Sequence, residues 1–182
     1  MSNRHKVFVS YHHAGDEFYK QRFEQLFGKQ FDVIVPGSVN DGDIDTSLPT
    51  ETIRQKIRDE YLRDTSVTVV LVGSLTWQRK HVDWEIGSSI RHTEKNPRSG
   101  LLGILLPTHP NYLSFPNYDP FTIPPRLYDN IVCEFAEIYN WSENPTEVQS
   151  WIHEAYLRKS KKQPDNSRPS FGKNHTGTRW TD

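Results

Sequence analysis

The run Thr65-Ser66-Val67-Thr68-Val69-Val70-Leu71-Val72-Gly73-Ser74 constrains this chain more than any other feature. It is β-branched and apolar with no polar alternation. Such a run reads as a strand covered on both faces, the mark of a central strand in a parallel sheet. Gly100 to Leu106 repeats the pattern and is stopped by Pro107. Lys6 to Tyr11 and Phe31 to Val35 are shorter runs of the same kind. Between them, apolar residues recur at helical spacing: Phe18, Phe23 and Phe27, then Ile53, Ile57 and Tyr61, then Val82, Ile86 and Ile90. These spacings predict helices over about 17–27, 50–62 and 81–93, with Asp16 as the N-cap of the first. Thr108 to Asn130, interrupted by Pro110, Pro116, Pro120, Pro124 and Pro125, reads as an irregular excursion. A last strand near 137–140 and a helix opened by Asn144-Pro145 follow. Strand and helix alternating in this way predict an open α/β sheet.

Composition narrows the class. Only 34% of residues are hydrophobic, and no apolar stretch approaches the roughly 18–20 residues of a membrane span. The opening Met1 to Lys6 is polar and lacks the apolar core of a secretory signal, so a cytoplasmic location is expected. A single cysteine, Cys133, excludes an internal disulfide and a multi-cysteine zinc site, and no metal site is expected. The net charge of −1 is uneven. Residues 159–182 hold six Lys/Arg and two Asp/Glu in a polar, Pro/Ser/Asn-containing stretch, leaving 16 basic and 21 acidic residues in 1–158. The expected division is therefore one domain over 1–158 and a solvated, flexible basic tail over 159–182. An acidic body is a poor surface for nucleic acid.

In open α/β sheets, ligands bind beyond the carboxyl ends of the strands. That edge draws on Ser10–His13, Ser74–Glu85 and Pro107–His109. The familiar motifs of such sheets are missing: there is no G-x-G-x-x-G, no phosphate-binding P-loop and no G-x-S-x-G elbow. Phospho-receiver acids are missing too, since Gly73-Ser74 and Ser10-Tyr11-His12 fill their places. Glu85 stands out instead, near Trp77, Arg79, His81 and Trp84. A carboxylate among aromatic rings suits a ligand with a flat ring and a sugar, one stacking and the other donating hydroxyls. Equally, an acid at a helix start is favoured by the helix dipole alone. His12-His13 has no second ligand set at metal-binding spacing. The loop from Ser38 to Pro49 is longer than most connections and reads as a binding or gating loop.

Val7-Phe8-Val9-Ser10-Tyr11 resembles the opening strand of TIR domains. The block from Thr65 to Trp77, followed by Val82-Asp83-Trp84-Glu85-Ile86, resembles the signal-producing TIR-like proteins of the Thoeris anti-phage system. So does the end of the body, Ile138-Tyr139-Asn140-Trp141 through Trp151-Ile152. The resemblance spans about residues 5–158. It implies a flavodoxin-like, three-layer fold around a five-stranded parallel sheet. It also implies NAD as substrate rather than cofactor, cleaved at the nicotinamide–ribose bond. The product would be a cyclic or conjugated ADP-ribose messenger that activates a separate effector protein, with no nucleic acid or membrane partner. The family's catalytic glutamate maps onto Glu85 and its long second loop onto Ser38–Pro49. Many catalytic TIR domains carry a tryptophan four residues before the glutamate; here that place holds His81, and Trp84 is adjacent to Glu85 instead. Ser10, Tyr11, His12, Ser74, Trp77, His81 and Trp84 are then expected to line the substrate pocket. Catalytic TIR domains often complete their site between subunits, so a homo-oligomer or filament on activation is expected. The competing expectation is a non-catalytic TIR-like module acting through protein contacts.

Overall fold

The computed structural model describes residues 4–29, 45 and 47–181, and the backbone of 32–34. Most of the Ser38–Pro49 loop lies outside the described residues. Among the described residues all strands run parallel in one sheet, in the order β2-β1-β3-β4-β5. Four of them have five or six residues: β1 (Lys6–Ser10), β3 (Val67–Val72), β4 (Gly100–Leu105) and β5 (Ala136–Asn140). The other, β2 (Asp32–Ile34), is a three-residue edge. This is the flavodoxin-like variant of the doubly wound α/β fold.

β3 is buried at every residue, as its unbroken apolar run demands, and so is β4. The two pair from Val67↔Gly100 to Val72↔Leu105. Successive side chains point to opposite faces. Val67, Val69 and Leu71 join a core with Phe23 and Phe27 of α1 (His13–Phe27) and Val148, Ile152 and Ala155 of α5 (Pro145–Lys161). Val70 and Val72 join the other core with Val82 and Ile86 of α3 (Lys80–Ser89), Ile90 just after it, and Leu127 of α4 (Pro125–Val132). Each of the larger side chains among these contributes about 1.5–3 kcal/mol by burial. A third cluster sets Trp84 against Phe8 and against Ile53, Ile57 and Leu62 in and after α2 (Thr50–Lys56). Gly100 is required where α5 crosses β4, because a Cβ there would lie 2.3 Å from the Ala155 carbonyl oxygen.

Several elements differ from the sequence reading. α1 begins at His13, with a short stretch before a kink at Asp16, whose φ −125° and ψ 17° are non-helical; the stretch after the kink is the helix expected from about Glu17. α2 passes into a π-helical turn over Ile57–Tyr61. The expected irregular excursion contains α4, with Pro125 in its first turn, where a missing N–H costs nothing. α5 is capped by Asn144, whose side chain accepts from the Thr146 and Glu147 amides.

The largest correction concerns the segment read as a free basic tail. α5 runs through the expected boundary to Lys161, and the residues beyond lie along α4 and α3. Their charges meet acids of the body. Arg168 pairs with Asp129, Arg179 with Asp119 and Lys162 with Glu134. Phe171 is buried, and Trp180 packs edge-on against Phe121. Among the described residues no helix is long and apolar enough to cross a membrane.

Candidate functional site

β1 and β3 end side by side, and α3 packs over them. Ser10, the last residue of β1, is fully buried, and its hydroxyl donates to Glu85 Oε2. Glu85 is 1% exposed. It lies in the second turn of α3, and the first-turn acid is Asp83. The helix-start position favoured by the dipole therefore belongs to Asp83 rather than Glu85, because that effect fades beyond the first turn. The Ser10 hydroxyl reaches Glu85 directly.

Beside this pair sit aromatic and imidazole rings. Tyr11 stacks obliquely on His13 at 4.5 Å, and His13 lies 5.1 Å from His81. The Tyr11 hydroxyl donates to Glu17 at 2.5 Å, and burial with this bond pushes its pKa up. His81 Nε2 lies 3.3 Å from the Tyr11 carbonyl oxygen. A carbonyl only accepts, so Nε2 carries the proton and Nδ1 is the acceptor. Burial holds His81 well below the ordinary histidine range, at about 4, although its bond to Tyr11 opposes the shift. Burial also lowers His12 and His13. The site thus joins a buried carboxyl group, a serine hydroxyl and imidazoles held below their ordinary pKa by burial.

The expected site residues divide. Ser10, Tyr11, His81 and Glu85 come together, with His12 buried at the N-cap of α1. Ser74 is exposed beyond the end of β3. Trp77 and Trp84 are 2% and 6% exposed. Trp84 is committed to the third cluster and donates its indole N–H to the Phe171 carbonyl at 2.8 Å. Neither ring offers an open stacking face. A cavity of about 110 Å³ does adjoin Trp84, between Thr50, Ile53 and Arg54 on one side and Ser170 and Phe171 on the other. Among the described residues no group of three or more His, Cys, Asp or Glu could hold a metal ion.

Sequence reasoning missed Asp16 as a site neighbour. It is 2% exposed and accepts from the Thr108 hydroxyl at 2.8 Å. This carboxylate bridges the end of β3, at Gly73, and the segment after β4. A Cβ on Gly73 would lie 2.1 Å from Asp16 Oδ2. Burial raises its pKa, opposed by the Thr108 bond. The glycine ending the strongest strand was the available signal, since it admits a group that any side chain would exclude.

A family model described as the Thoeris protein ThsB, TIR-like domain, matches residues 8–111, more than half of the chain. The matched span holds every residue of the Ser10–Glu85 site. It ends before α4, β5, α5 and the segment that follows them. No curated protein matches the chain significantly.

Proposed function

The chain belongs to the Thoeris ThsB TIR-like domain family, an anti-phage defence family, and from that premise we propose that it cleaves NAD at the nicotinamide–ribose bond. In this reading, Glu85 holds the ribose hydroxyls and stabilises positive charge developing on the sugar. Nicotinamide leaves as a neutral molecule, so no general acid is needed. Ser10 orients the carboxylate, and the neutral imidazoles of His12, His13 and His81 add polarity without opposing charge. Water as acceptor gives ADP-ribose and releases its proton to solvent; the adenine end or another small nucleophile gives a cyclic or conjugated messenger for an effector. The observation that carries the proposal is the buried Ser10–Glu85 bond at the carboxyl edge of a parallel sheet. Because Glu85 is 1% exposed, substrate entry requires movement of the groups covering it. Such movement fits a site that turns on only after a trigger.

The test is NAD consumption by concentrated protein, with and without lysate from phage-infected cells, with products read by mass spectrometry. Glu85→Gln is expected to lower turnover at least about 100-fold while leaving the fold intact by circular dichroism. Equal turnover by both proteins overturns the assignment. No turnover by either, with phage protection surviving the substitution, favours the non-catalytic module.

A further inference from the structure

α3 lacks an N-cap of its own. Arg79, at the cap position, makes no side-chain bond to the first turn. The first-turn amides of a helix have no partner within it and must find one elsewhere. Here the partner comes from the far end of the chain: Asn174 Oδ1 accepts from the Lys80 amide at 2.9 Å. Next to it, the His175 amide donates to the Gln78 carbonyl at 2.8 Å. One turn further on, the Phe171 peptide is bonded at both ends, its N–H to Asp83 Oδ2 at 3.0 Å and its carbonyl to the Trp84 indole at 2.8 Å. Asn166 closes the series by donating to the Gly87 carbonyl at 2.9 Å. It also accepts from Arg126 at 2.9 Å, which ties α3 to α4.

These contacts flank Glu85 on both sides, at 78, 80, 83, 84 and 87, and none touches it. We infer that residues 163–181 form a positioning strap, with Asn174 acting as the N-cap of α3 and the Phe171 peptide fixing the turn that presents Glu85. The inference rests on the catalytic reading of Glu85 for its kinetic consequence, but its structural consequence stands apart from that reading. The strap's grip is mainly polar, since Phe171 is its one large buried apolar side chain. Its release therefore exposes little apolar surface and leaves the two cores in place, while the first turns of α3 loosen.

The experiment compares the full chain with Asn174→Ala, Asn174→Asp and a chain ending at Gln163. Hydrogen exchange is followed across residues 80–89, and NAD turnover is measured. Asn174→Ala and the shortened chain are expected to exchange at least tenfold faster in α3. They are expected to lose about tenfold in kcat with little change in KM. Asn174→Asp keeps a capping oxygen and is expected to behave as the full chain, and a peptide of residues 163–182 added in trans is expected to restore the shortened one. Unchanged exchange and unchanged kcat in Asn174→Ala overturn the strap, whether or not the shortened chain folds. If the full chain shows no NAD turnover even with lysate from phage-infected cells, the catalytic reading fails, and the exchange comparison alone decides the strap.

Discussion

The Asp16 carboxyl occupies space that any side chain at position 73 would take, so its placement depends on Gly73. The carboxylate is buried against the glycine, with one hydroxyl partner in Thr108, and burial raises its pKa. A carboxyl with a raised folded pKa holds its proton more tightly in the folded state than in the unfolded one. Folding is therefore penalised as pH rises above the ordinary carboxylate value, and the penalty is complete above the raised value. Asp16→Asn keeps the oxygen that accepts from Thr108 and removes the charge. It is expected to raise stability at pH 7–8 by about 1 kcal/mol, with the gain vanishing below about pH 4. Urea titrations at the two pH values read this directly. Gly73 was visible in the sequence as the end of a strand. Its function as a seat for Asp16 was not, because that depends on where α1 kinks.

At the scale of elements, α3 is held to α4 by a buried ion pair. Arg126 and Asp83 have side chains 0% and 1% exposed and meet at 2.9 Å, and Asp83 also accepts from the Phe171 amide. Removing one partner leaves the other charged and buried. Arg126→Met is thus expected to cost about 3–5 kcal/mol in chemical denaturation. Adding Asp83→Asn is expected to recover more than half of that, since the amide oxygen can still meet Phe171. The strands and most helices were legible because continuous or helically spaced apolar residues record which faces are covered. α4 was hidden behind Pro124 and Pro125, which read as a break and in fact open the helix. The strap was illegible for a different reason. It contributes caps, carbonyls and paired charges rather than a periodic apolar face, and a polar segment that packs has the same composition as one that does not. Glu85 stood out among its neighbours by position, but its proposed role came through family resemblance. Its bond to Ser10 needed the β1–α3 contact.

Over the whole molecule, five histidines are held below their ordinary pKa, in each case chiefly by burial: His5, His12, His13, His81 and His109. A histidine depressed in the folded state binds its proton more readily when unfolded. Its contribution is intact above the unfolded value of 6.5 and is lost as pH falls toward the folded value. For His81 that window runs from 6.5 down to about 4, worth roughly 3 kcal/mol across its width. Stability is expected to fall steeply between pH 6.5 and 4, with His81→Gln reducing the slope by about one proton. Denaturant midpoints taken across this range measure both.

The cap of α3 also has a position in time. Lys80 and Asn174 are 94 residues apart, and the ribosome makes Asn174 the later of the two. While the chain is still growing, the sheet core from β1 to β4 can assemble, but the helix bearing Glu85 waits for its cap. A growing chain, or one broken off before Asn174, then carries the carboxylate on a frayed helix. On the catalytic reading, synthesis itself keeps an incomplete molecule from spending the cell's NAD.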